Sequence, residues 1–184
     1  MNFRWRLGAC GPNGDAGGEA VAVWRGRIGG AIAGWDIAVE ADAAGIRGRL
    51  GGRIWGADLR LEHDAEGRWA GRMGGAIAGR DVEFVADGGR LQGRLGGAVI
   101  GADLVLERSG DRVTGRIGGA LVGFDVDVAV RPDGSVAGRL GGSLVGYDVR
   151  FKPGVSDPLL ATAVAAVACW EMVHRRRVAS GASS

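Results

Sequence analysis

At 184 residues with a net charge of +2, the chain is long enough for one domain with a core of its own. So small a charge gives no case for nucleic acid as a partner. Two cysteines, Cys10 and Cys169, stand far apart without a CxxC or Cys/His spacing. This argues against a disulfide scaffold or a zinc site and suits a reducing compartment.

The first residues, Met1-Asn2-Phe3-Arg4-Trp5-Arg6-Leu7, hold no apolar run of the kind a secretory leader needs. Leu7-Gly8-Ala9-Cys10 has the letters of a lipoprotein cleavage box but lacks the preceding apolar stretch, so a cytoplasmic protein is expected. Phe3 to Leu7 alternates in polarity and could add one strand to those counted below.

From Gly26 onward the chain repeats itself. Six segments share the form Gly-Arg-apolar-Gly-Gly-x-apolar-x-Gly-x-Asp-apolar-x-apolar. They begin at Gly26, Gly48, Gly71, Gly93, Gly115 and Gly138, a period of 22 or 23 residues. Each copy uses four glycines, so most of the 37 glycines are positional and do not mark a low-complexity linker.

The motif arginine always precedes the motif aspartate by nine: Arg27 and Asp36, Arg49 and Asp58, Arg72 and Asp81, Arg94 and Asp103, Arg116 and Asp125, Arg139 and Asp148. The other connection varies in length and carries turn residues, such as Asp64-Ala65-Glu66-Gly67 and Pro132-Asp133-Gly134. Period-two alternation flanks these turns, as in Phe124-Asp125-Val126-Asp127-Val128. Folding the first copy about a turn between Ala31 and Ile32 sets Arg27 opposite Asp36, Ile28 opposite Trp35 and Gly26 opposite Ile37. A slip of register would separate the charges, so the fixed spacing reports a fixed hairpin.

This register gives each hairpin a polar face (Glu40, Arg60, Glu62, Glu83, Glu107, Asp127, Arg150) and an apolar one (for example Leu59, Leu61, Val82, Phe84, Val149 and Phe151). The first motif glycine falls on the apolar face, where a ring of missing side chains is expected to leave room for an inner element. Val21 and Val23 fall on the polar face, which suggests a bulge in the first strand.

Six hairpins make about 12 strands. A closed barrel of that size has an interior that must be filled. Asp157-Pro158 is a helix start, and Leu159 to Trp170 has no polar face, as expected of a helix buried on all sides. The fold expected is therefore mainly β: a roughly 12-stranded antiparallel closed barrel enclosing one C-terminal apolar helix, residues 158–174, in a single domain over 1–177 with a disordered tail at 178–184. A membrane anchor is the competing reading of the helix, but a span needs about 20 apolar residues and Glu171 intervenes. Arg175, Arg176 and Arg177 suit the negative helix end and are also the candidate contacts to an anionic phospholipid or membrane surface.

Strand number and terminal helix together resemble the tubby-like superfamily, and Ser156-Asp157-Pro158-Leu159-Leu160-Ala161-Thr162-Ala163-Val164-Ala165 resembles the helix start of its phospholipid scramblase and LURP-one-related branches. The resemblance spans about residues 21–177. It implies a barrel closed around the helix and an association with phospholipid, and carries over no site residue.

No Ser/His/Asp arrangement, zinc spacing or phosphate-binding loop is present. Gly-Gly-x-x-x-Gly-x-Asp is similar to a calcium-binding nonapeptide but is two residues longer and has the wrong period, so its aspartates are assigned to the arginines. The expectation is a monomeric, non-catalytic barrel without a cofactor. Two other readings remain: a parallel β-solenoid scaffold, in which like charges would stack, and an enzyme built near Cys10 or His63.

Overall fold

The computed structural model describes residues 21–30, 34–75, 79–97, 101–118, 123–141 and 146–181, the side chains of 177–180 excepted. The alternating segment at Phe3 to Leu7 and Cys10 lie outside these residues. Twelve strands follow in order: β1 (Ala22–Gly29), β2 (Gly34–Ala41), β3 (Gly45–Gly51), β4 (Gly56–His63), β5 (Arg68–Met73), β6 (Arg80–Asp87), β7 (Arg90–Gly96), β8 (Gly101–Ser109), β9 (Arg112–Gly118), β10 (Gly123–Val130), β11 (Val136–Gly141) and β12 (Gly146–Phe151). Each pairs antiparallel with its sequence neighbours, and β1 pairs with β12 to close the barrel. Antiparallel closure excludes the parallel solenoid.

The hairpin register is the one the charges dictate. Arg27 pairs with Asp36, Ile28 with Trp35 and Gly26 with Ile37; the other five copies repeat this alignment. β1 runs without a bulge from Ala22↔Ala41 to Gly29↔Gly34. The expected bulge is therefore absent, and Val21 and Val23 lie exposed outside while Trp24 takes the inward place. Trp24 is buried there, and its indole N–H donates to the Ser156 hydroxyl at 3.3 Å.

Four of the motif arginines also cap their own loops among the described residues. Besides the aspartate, which Arg49, Arg72 and Arg139 reach at 2.6, 2.7 and 2.9 Å, the guanidinium donates to a backbone carbonyl three residues on. The acceptors are Gly30, Gly52, Gly75 and Gly97 for Arg27, Arg49, Arg72 and Arg94. The first glycine of each Gly-Gly pair makes this loop shape accessible. Gly29, Gly51, Gly74, Gly96, Gly118 and Gly141 all have φ between 76° and 108°, where a side chain is strained.

The first motif glycine has a different reason from the one expected. A Cβ at Gly71, Gly115 or Gly138 would overlap the carbonyl of Arg60, Val105 or Asp127 on the preceding strand. At Gly26 it would strike the Phe151 ring. These glycines admit a neighbouring strand at close approach, as tightly coiled sheets require, and do not serve to make room for the helix.

Room for the helix comes from its own small side chains. α1 (Pro158–Gly181) starts on the Asp157 side chain, which accepts from the N–H groups of Leu159 (2.8 Å) and Leu160 (3.1 Å). Ala161 to Cys169 is buried throughout, and the one polar group there, the Thr162 hydroxyl, donates to the Pro158 carbonyl at 2.7 Å. At 24 residues the helix is longer than the expected 158–174 and continues into the segment expected to be disordered. It spans about 36 Å, whereas an eight-residue strand reaches only about 26 Å before tilt, so its last turns pass beyond the barrel.

Candidate functional site

α1 enters the barrel at the end carrying the variable turns and leaves it at the end carrying the motif connections. The side chains that receive it come from one repeat position, the inward residue immediately before each motif aspartate. Trp35, Arg80, Phe124 and Tyr147 hold that position in four copies, and each touches the last turns of the helix. Phe124 meets Trp170 edge-on at 6.1 Å between ring centres. Sequence reasoning missed this collar. Its signal was a position that varies within an otherwise uniform motif.

Glu171 is the hub of the collar. It is 5% exposed, and its two carboxylate oxygens accept from Arg80 Nε at 3.0 Å and from Arg175 Nε at 2.6 Å. Arg175 also donates to the Gly56 carbonyl at 3.4 Å and places its guanidinium 5.9 Å from the centre of the Trp35 ring. A buried carboxylate is stable here because two guanidiniums share its charge.

The three arginines expected as lipid contacts are therefore not equivalent. Arg175 is half-buried and ties the helix to the rim. Arg176 is exposed, with its guanidinium 5.9 Å from the Tyr147 ring centre. The side chain of Arg177 lies outside the described residues.

Beside Arg175 the β3–β4 connection presents Arg53, Ile54 and Trp55. All three are exposed, Ile54 at 86% and Trp55 at 77%. The residue equivalent to Ile54 is aliphatic in every copy, Ile32, Ile77, Val99, Leu121 and Leu144 being the others. The motif's apolar letter at this position gave no sign that Ile54 would face solvent; the five equivalents lie outside the described residues.

Of the two residues named for an enzyme, Cys10 lies outside the described residues and His63 stands away from this rim. His63 ends β4, exposed, with its ring stacked on Trp69 at 4.3 Å and Nδ1 3.1 Å from the Ala43 carbonyl. Cys169 is buried in the helix core, and desolvation pushes its thiol up to about 12, against a slight opposing pull from Arg176. A thiol so placed is a packing residue. Among the described residues no cluster of His, Cys, Asp or Glu could hold a metal ion, and no helix is long and apolar enough to cross a membrane. No family model, curated protein or solved structure matches the chain.

Proposed function

We propose that the protein is a non-catalytic, tubby-like barrel that docks one rim on an anionic phospholipid surface. The observation carrying this reading is the solvent-facing pair Ile54 and Trp55, set next to Arg53 and at the same rim as Arg176. Large apolar residues open to water lower the free energy only when something covers them. A Trp ring suits the lipid headgroup layer, and arginines alongside suit negative headgroups.

The magnitudes fit reversible attachment. Each arginine near an anionic surface contributes about 1 kcal/mol. Full burial of a large apolar side chain contributes about 1.5–3 kcal/mol. Two of each give a binding energy on the order of that of a single acyl anchor, which is marginal and reversible.

Flotation of the full chain with vesicles tests this. Vesicles containing phosphatidylserine should carry the protein, and purely zwitterionic ones should carry much less. Ile54→Ser with Trp55→Ser should abolish flotation, and Arg53→Ser with Arg176→Ser should weaken it and flatten its salt dependence. Flotation that ignores all four substitutions, or no flotation on either vesicle, rejects the proposal.

A further inference from the structure

The junction between β1 and β12 is built unlike the others. It holds three residue pairs, Gly26↔Phe151, Arg27↔Arg150 and Ile28↔Val149, where the remaining junctions hold five to eight. One step further along, the Lys152 N–H donates to the Arg25 carbonyl at 2.8 Å, which brings Lys152 beside Arg25. On the outer face two pairs of like charges thus stand directly opposite. Such pairs oppose strand association.

Elsewhere the sheet neutralises comparable contacts. Arg47 lies opposite Arg60, but Arg47 binds Glu40 and Asp42 while Arg60 binds Glu62. At the seam only Arg27 has a carboxylate, its motif partner Asp36. Arg25, Arg150 and Lys152, with Arg131 from the β10–β11 turn, form no ion pair among the described residues.

The rows of the seam end in small side chains. Ala38 lies opposite Arg25, and Ala137 opposite Arg150, so nothing bulky fills the space beside the cations. The result is an open groove of about 640 Å³ into which Arg25, Arg27, Arg131, Arg150 and Lys152 all project. Of its two carboxylates, Asp36 is paired with Arg27, and Asp133 accepts from the N–H and hydroxyl of Ser135 while its charge acts on Arg131, which leaves Arg25, Arg150 and Lys152 without a counter-charge. Residues opposite one another lie about 5 Å apart and successive residues on one face about 7 Å apart. Arg25, Arg27, Arg150 and Lys152 therefore mark the corners of a rectangle that suits linked tetrahedral oxyanions, with guanidiniums able to grip each group by two hydrogen bonds.

We propose that the β1–β12 seam binds a ligand carrying at least two phosphate groups, which supplies the counter-charge this junction lacks. This site lies on the barrel wall and is independent of the rim.

Inorganic tripolyphosphate is the probe. Titration calorimetry of the full chain at low salt should show saturable binding at one site, weakening steeply as salt is added. Arg150→Thr with Lys152→Thr should weaken binding by about tenfold or more. The same double variant removes both like-charge pairs, so the ligand-free protein should melt at a higher temperature, and lost binding cannot be mistaken for lost folding. Arg53→Ser with Arg176→Ser should leave tripolyphosphate affinity unchanged. Vesicles bearing a multiply phosphorylated lipid form a second arm: if the seam variant also loses these, the phosphates belong to a headgroup, and if it retains them, the ligand is soluble. Absence of saturable tripolyphosphate binding at low salt, or equal affinity in the seam variant, overturns the proposal.

Discussion

Removing the Glu171 carboxylate should loosen the helix end from the barrel by an amount the geometry sets. Glu171→Ala deletes two charge-assisted bonds, at 3.0 Å to Arg80 and 2.6 Å to Arg175. Stripping one partner from a fully buried ion pair costs about 3–5 kcal/mol. Here the arginine side chains are 24% and 37% exposed, so both guanidiniums can regain water and the cost falls to about 2–3 kcal/mol. For a chain of this size that lowers the melting temperature by about 4–12 °C. In a double-mutant cycle with Arg80→Ala, the coupling should be about 1.5–3 kcal/mol. Because Glu171 is shielded from solvent, added salt should change the coupling little. Chemical denaturation of the four proteins in the cycle, at low and high salt, measures it. A coupling below about 0.5 kcal/mol, the range of exposed pairs, would show that the rim does not hold the helix through this carboxylate.

Gly71→Ala should destabilise the protein by more than about 2 kcal/mol, because its Cβ would overlap the Arg60 carbonyl, whereas Gly75→Ala should be within about 0.5 kcal/mol of neutral, nothing lying within 4 Å; equal denaturation midpoints would refute the close-approach account. Arg94 and Asp103 should couple by only about 0.2–1 kcal/mol, decreasing with salt, since both are largely exposed; zero coupling at low salt would dissociate the charges from the register. Cys169 should resist thiol reagents at neutral pH until the chain unfolds, and a native protein that labels at the rate of a free thiol would place it outside the core. Its thiol ionises near 9 when unfolded and near 12 when folded, so stability should be intact below about pH 9 and fall as pH rises toward 12; Cys169→Ala should remove that part of the slope in alkaline denaturation.

Barrel, strand number, register and central helix were legible because each is written six times or in one unbroken run. Arg27 and Asp36 name each other only through a distance of nine, and that distance repeated six times leaves one hairpin alignment. The helix was legible because Leu159 to Trp170 offers no side that could face water. What stayed hidden depends on third partners. Periodicity placed Gly71 on the inner face, but only coordinates show that its neighbour is the Arg60 carbonyl and not the helix. It also paired Arg49 with Asp58 without disclosing that the same guanidinium holds the Gly52 carbonyl.

The two surfaces with functional potential both arise where repetition fails. Six equivalent hairpins around one helix cannot treat its exit symmetrically, since a helix presents different side chains in each direction. Phe124, Arg80, Trp35 and Tyr147 are the individual answers to Trp170, Glu171, Arg175 and Arg176 in that order. The seam breaks repetition for another reason. Every other junction joins strands adjacent in sequence, so one motif can settle their charges together. β1 and β12 belong to the first and last copies, and while the motif gives Arg27 its Asp36, it supplies no carboxylate to Arg25, Arg150 or Lys152. A uniform repeat that closes on itself leaves its unneutralised charge at that junction, which makes the seam, and not the rest of the barrel wall, the place for an anion.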